Sequence, residues 1–261
     1  MSMADRWGDL RKRVMSAVVL LALGAVEVWL GGIPFLLLVT LITTLMIWEL
    51  GNMTLPPGLW PAVAAGLAAL ALLADEGWPS IPAWTVFPVV ALVFLLRARI
   101  HPAISALMAL AILTSGHGLF VLRDEEGTAA VIWLLGVVIV SDVAGYFVGR
   151  TVGGPKFWPA ISPKKTWSGT IAGWVGAALL GLGFKLAGQG GWALVILSPF
   201  VAFAGQMGDI AESWIKRRAG VKDSSKLIPG HGGVMDRFDA LTGAMVVTMV
   251  LAWAFDIPVG R

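Results

Sequence analysis

The amino-acid sequence specifies an all-α, polytopic integral membrane bundle of about nine transmembrane helices with its amino terminus in the cytoplasm. Three observations lead there. Of 261 residues, 57% are hydrophobic and 13% charged, with a mean hydropathy of +0.83, whereas soluble domains are about 45–50% apolar. The apolar residues gather in runs close to the roughly 20 residues that a spanning helix needs. These runs lack the alternation of an outer-membrane barrel, so helices, which satisfy every backbone amide internally, remain. A water-soluble globule is thereby excluded. With no Cys in the chain, so are a disulfide scaffold, a thiolate metal site and a cysteine nucleophile. Without internal repeats or low-complexity linkers, residues 1–261 read as one membrane domain, 1–140 as hydrophobic scaffold and 141–261 as the part carrying the active site.

The first run, 14–30, follows Arg11-Lys12-Arg13 and contains the small-residue stretch Ala22-Leu23-Gly24-Ala25. It continues too far, and too many runs follow, for a cleaved signal peptide. The next is 33–50. Runs 59–74 and 83–96 are short and hold Pro61 and Pro88; then come 103–122, 129–149, 168–187, 192–211 and 240–255, separated by charges or by Gly and Pro. Alternation through nine spans puts sixteen Lys and Arg on the amino-terminal side and three, Arg123, Lys185 and Arg261, on the other. That asymmetry marks the amino-terminal side as cytoplasmic, as in a bacterial inner membrane. Trp29, Trp48, Trp60, Trp78, Trp84, Trp192 and Trp253 fall near run ends, as an aromatic belt requires. Gly169 and Gly173 form a small-xxx-small pattern that suits packing within the chain and permits a homodimer without requiring one.

Polar side chains concentrate between Asp142 and Asp239, chiefly in two basic cytoplasmic segments, 150–167 and 212–237. If the eighth helix continues past the interface, Asp209, Glu212, Ser213 and Lys216 lie at i, i+3, i+4 and i+7 on one face. Asp236 and Asp239 make a second i, i+3 pair, where acids suit a helix start. Hard carboxylate oxygens without sulfur ligands favour Mg²⁺, which fills its shell with water and phosphate oxygens. A phosphate substrate is implied. Lys216, Arg217, Arg218, Lys222, Lys226 and Arg237 crowd around these acids, with Lys164 and Lys165 in the other segment; Arg218 and Lys156 read as contacts to lipid headgroups. Pro229-Gly230-His231-Gly232-Gly233 is a turn whose successive amides suit a phosphate. Asp142 and Tyr146, at i and i+4, face the same polar region, whereas Glu27, Glu49 and His117 have no polar neighbours in sequence and read as interfacial or helix-packing residues.

The stretch Ser213-x-Ile215-Lys216-Arg217, then Lys222-Asp223-x-Ser225, then Ile228-Pro229-x-His231-Gly232-Gly233-Val234-x-Asp236-Arg237-Phe238-Asp239 resembles the carboxy-terminal motif of the phosphatidate cytidylyltransferases, the CDP-diacylglycerol synthases. Residues 142–150 and 161–169 are similar to the family more weakly, with Ser168, Val143 and Gly145 departing from its usual residues. The resemblance implies that CTP and phosphatidate react to give CDP-diacylglycerol and pyrophosphate, with Mg²⁺ and room for a second cation. It further implies metal ligands among Asp209, Asp236 and Asp239. Lys222, Lys226 and Arg237 would neutralise the triphosphate, and Lys164, Lys165, Lys216, Arg217, Ser213, His231, Asp142 and Tyr146 would line the substrates. The partners implied are CTP, phosphatidate and membrane lipids, and no nucleic acid. A transporter of anionic solutes is the rival reading, which predicts polar residues spread through to the far leaflet. An enzyme with another donor is a second alternative, although the Asp-Gly-x-x-Ala-Arg motif of CDP-alcohol phosphotransferases is absent.

Overall fold

A computed structural model of the chain describes residues 18, 21–77 and 83–254. The start of the first run, the basic residues Arg6, Arg11, Lys12 and Arg13, Trp78 and Arg261 lie outside the described residues. Nine helices appear among the described ones: α1 (Leu21–Leu30), α2 (Gly32–Thr54), α3 (Trp60–Gly77), α4 (Ala83–Arg97), α5 (Pro102–Glu125), α6 (Thr128–Thr151), α7 (Trp167–Leu186), α8 (Trp192–Arg218) and α9 (Met235–Ala254). Of these, α2, α5, α6, α7 and α8 are long and apolar enough to cross a membrane. The chain is thus all-α, and exposed apolar side chains such as Leu41, Leu96, Ile139, Leu179, Ile196 and Phe200 are what lipid contact requires,.

Two elements extend furthest beyond the apolar runs that predict them. α8 continues to Arg218, about 40 Å at 1.5 Å per residue,, because its polar stripe keeps helical spacing. α9 starts at Met235 rather than at 240, since a hydropathy window does not register its polar first turn. One element goes unforeseen. Strands β1 (Lys156–Trp158) and β2 (Ser162–Thr166) pair antiparallel within the first basic segment, Lys156 opposite Thr166 and Trp158 opposite Ser162, with an irregularity between. Pro163, which has no amide to give a ladder, is tolerated at such an irregular edge.

The described residues divide into two compact units, one drawn from Met1–Leu113 with Arg218–Phe238, the other from Thr114–Arg217 with Asp239–Arg261. In the first, Phe35, Val39, Met46, Ile47 and Leu50 of α2, Ala64, Ala68 and Ala71 of α3, and Val90 and Phe94 of α4 are buried. The turn between α2 and α3 is tight: a Cβ on Gly51 would lie 3.0 Å from the Pro61 Cα. The Arg97 guanidinium sits 4.4 Å from the Trp60 ring centroid, a cation–π contact.

In the second unit, small residues let backbones touch. A Cβ on Gly169 of α7 would meet the Gly145 carbonyl and come within 3.2 Å of the Gly149 Cα of α6, so this part of the small-xxx-small pattern packs within the chain. Gly173 leaves room for Gln206, which accepts from Trp174 Nε1 at 3.0 Å and donates to Ser141 Oγ at 3.1 Å. A Cβ on Gly173 would stand 2.7 Å from both Gln206 Nε2 and Ser141 Oγ. Gly173→Ala is therefore expected to destabilise the protein by about 1–3 kcal/mol, measured as a lower Tm in detergent.

Candidate active site

Three acids of the second unit converge. Asp209 and Glu212 lie on successive turns of α8 and Asp239 on the first turns of α9, and one carboxylate oxygen from each lies within 4.8 Å of the others. The backbones meet at a glycine crossing, where Gly208 faces the Asp239 carbonyl and Gly243. Two lysines answer part of the charge. Lys165, from β2, forms an ion pair with Asp209 and reaches the Gln206 carbonyl at 3.5 Å. Lys216 Nζ donates to Glu212 Oε2 at 2.7 Å with both residues buried. Ser213 Oγ donates to Asp209 Oδ1 at 3.3 Å, as their i, i+4 spacing predicts. Asp142 of α6 is within Coulomb range of Lys165 and Asp209.

Carboxylates this close repel unless cations or protons intervene. Asp209, Glu212, Asp239 and Asp142 outnumber the two lysines that the structure sets against them. Its donors are all hard oxygens, partly buried and backed by second partners. That set fits Mg²⁺.

The basic segment 218–238 belongs to the first unit and is organised by two carboxylates. Asp236 Oδ2 accepts from Gly233 N at 2.8 Å, Ser224 N at 2.9 Å and Ser224 Oγ at 3.0 Å. Glu49 of α2 accepts from Val234 N at 2.9 Å and Met235 N at 2.7 Å. Of the amides in the Pro229–Gly233 turn, that of Gly233 is taken by Asp236, and the next two, of Val234 and Met235, are taken by Glu49. The turn itself closes through Ile228 N to the Gly232 carbonyl and His231 N to the Ile228 carbonyl, at 2.8 and 2.9 Å. Lys222, Lys226, Arg237 and Arg217 are exposed, and His231 is half-buried.

On α6, Tyr146 is exposed and its hydroxyl accepts from Arg150 Nη1 at 2.7 Å. In the hairpin, Lys164 is exposed and Lys165 half-buried. Ser168 Oγ lies 2.5 Å from the Gly153 carbonyl and 3.1 Å from Thr166 Oγ1, while Thr166 caps α7 by accepting from Gly169 N. Position 168 therefore ties the hairpin to the helix that follows it.

Glu49 corrects the sequence reading. It is not a packing residue without polar neighbours: fully buried, it accepts four hydrogen bonds from the second basic segment. A carboxylate near a span end is a signal in its own right, but its partners lie 175 to 186 residues away. Glu212 was visible only as part of a stripe; its place in the acidic cluster depends on Asp239, 27 residues later.

Comparison with known proteins adds a family. The chain matches the cytidylyltransferase family over residues 11–255. It is 33% identical over 273 aligned residues to a phosphatidate cytidylyltransferase of Brucella suis biovar 1 (strain 1330), with 96% of each chain covered. A protein of the same name from Staphylococcus haemolyticus (strain JCSC1435) is 29% identical over 93% of this chain and 98% of its own. Another, from Helicobacter pylori (strain J99 / ATCC 700824), is 42% identical over 53% of each chain.

Proposed function

The chain belongs to the cytidylyltransferase family and is a nucleotidyltransferase, and from that premise we propose that it transfers the cytidylyl group of CTP to phosphatidate at the cytoplasmic face of a bacterial inner membrane. A phosphate oxygen of phosphatidate attacks the α-phosphorus of CTP. The bond from that phosphorus to the oxygen bridging to the β-phosphate breaks, and pyrophosphate leaves with the electron pair. The observation that carries this reading is the Asp209, Glu212 and Asp239 cluster with its two lysines.

Phosphatidate is a phosphate monoester with a second pKa near about 6, so its attacking oxygen is largely ionised at neutral pH and needs no strong base. The obstacle is repulsion between a triphosphate of about −4 and a lipid phosphate of about −1.5 to −2 beside an anionic membrane. Cations and alignment are the need. Asp209, Glu212 and Asp239 would hold Mg²⁺, and the ion when bound would neutralise phosphate charge,. Lys222, Lys226, Arg237 and Arg217 draw in the triphosphate and offset charge on the leaving pyrophosphate. Lys164 and Lys165 take the phosphates from the hairpin side, while Lys216 and Ser213 fix Glu212 and Asp209. His231, Asp142 and Tyr146 line the substrates. The sixteen-to-three charge split supports a cytoplasmic site. So does the contact of the α2 carboxy-terminal end with the second basic segment, two parts that alternation assigns to one side.

Purified, detergent-solubilised protein incubated with cytidine-labelled CTP, Mg²⁺ and phosphatidate should yield a labelled lipid and one pyrophosphate per lipid formed. Uptake of an anionic solute into sealed vesicles without covalent change, and no labelled lipid, would favour a transporter instead. Arg218 is exposed, and Arg218→Ala is expected to keep turnover within about threefold of the parent, as for a lipid-facing charge; a deep loss would put it among the phosphate-binding cations.

A further inference from the structure

We propose that Glu49 is a positioning residue for the transfer reaction, a carboxylate supplied by the hydrophobic first half of the chain that fixes the backbone carrying Lys222, Lys226, Asp236 and Arg237. It stands on α2, 0% exposed. Each of its oxygens takes one hydroxyl and one amide: Oε1 accepts from Ser225 Oγ at 2.6 Å and Val234 N at 2.9 Å, and Oε2 from Ser224 Oγ at 3.0 Å and Met235 N at 2.7 Å. The two amides open α9, where backbone N–H groups lack partners within the helix and the dipole favours an anion. Glu49 therefore caps α9 from another helix.

The fit leaves little room. A Cβ on Gly233 would collide with Ser224 Oγ and stand 2.6 Å from Glu49 Oε1, so a glycine is needed for the carboxylate to approach. Ser224 extends the influence of Glu49, because its hydroxyl lies 3.0 Å from both Glu49 Oε2 and Asp236 Oδ2. Through that hydroxyl and the amide of Gly233, Glu49 governs where the Asp236 carboxylate is held. The inference rests on the functional reading above, since position becomes rate only if this segment handles the phosphates.

The informative substitution is Glu49→Gln, which keeps volume and one acceptor. Its amide nitrogen faces one hydroxyl and one backbone N–H. The hydroxyl can rotate and accept, but the backbone N–H can only donate, so one of Val234 and Met235 is left unsatisfied. Hydrogen exchange on the full-length protein in detergent should show amides 234 and 235 opening about tenfold or more faster, with exchange in α3 and α4 unchanged. In steady-state assays kcat should fall by about tenfold or more, while the KM for phosphatidate stays within about twofold.

Ser225→Ala, which removes one of the four donors, should move both readouts the same way by less, and should add little when combined with Glu49→Gln. Unchanged exchange at 234 and 235, faster exchange there with kcat intact, or acceleration spread evenly through α2–α4 would each overturn the proposal. Should Glu49→Gln fail to accumulate, Ser225→Ala decides by the same two readouts. A wild-type protein without cytidylyl transfer would sink the functional reading instead, and the exchange arm would still show whether Glu49 holds the segment.

Discussion

Asp239→Asn is expected to lower kcat by about a hundred- to a thousandfold while leaving thermal stability unchanged or raised. The two directions come from one arrangement. Asp239 brings a third carboxylate to within 4.8 Å of Asp209 and Glu212, where like charges oppose one another. Replacing it with a neutral isostere relieves that repulsion and, in the same step, removes an anionic ligand for the cation that a triphosphate needs. A residue kept for structure alone would show the opposite, a lower Tm with activity following it down. Tm by differential scanning fluorimetry and initial rates at saturating CTP on the same preparation separate the cases. Asp236→Asn should differ in kind: its Oδ2 holds Gly233 N, Ser224 N and Ser224 Oγ, so its loss of turnover should come with faster exchange in 224–235.

Gly208→Ala should cost both stability and activity, the activity more than the stability explains. At this crossing α8 and α9 touch through backbone. A Cβ on Gly208 would collide with the Asp239 carbonyl oxygen and lie 2.9 Å from Gly243 N and 3.0 Å from Gly243 Cα. Backbone atoms cannot rotate aside, so the helices must part, at about 1–3 kcal/mol for an overpacked contact. The displaced residues are the neighbours of Asp209 and Asp239 themselves. A shift of a few tenths of an ångström therefore widens the acidic cluster, and turnover should drop at temperatures where the variant is still fully folded. Gly183→Ala is the control: a Cβ there meets nothing within 4 Å, and removing a helical glycine should raise stability by about 0.5–1 kcal/mol without touching rate.

The helical membrane architecture was legible from composition and run length because lipid leaves the backbone few alternatives. The polar face of α8 was legible as well, since Asp209, Glu212, Ser213 and Lys216 repeat at helical spacing, and the structure makes two of those i, i+4 relations into contacts. What escaped depends on distance along the chain. The donors to Glu49 lie 175 to 186 residues further along the chain. The β1–β2 hairpin is short and interrupted by Pro163, so it lacks the alternation that reveals a strand. Pro229 to Gly233 was legible as a turn, but which anions take the amides beyond it was not, because one of them comes from α2. The start of α9 was hidden for a related reason: Asp236 and Arg237 interrupt the apolar run there, and the amides of Val234 and Met235 are held by Glu49.

In the proposed reaction, Asp209, Glu212 and Asp239 bind one divalent cation that the transfer requires. Titrating Mn²⁺, as a paramagnetic substitute for Mg²⁺, into purified protein and following free ion by electron paramagnetic resonance tests it directly. The wild type should take up a saturable ion, competed by Mg²⁺, and both Asp209→Asn and Asp239→Asn should weaken that uptake by about tenfold or more in parallel with the loss of turnover. Uptake of equal affinity and stoichiometry in all three proteins would place the cation elsewhere and contradict the assignment.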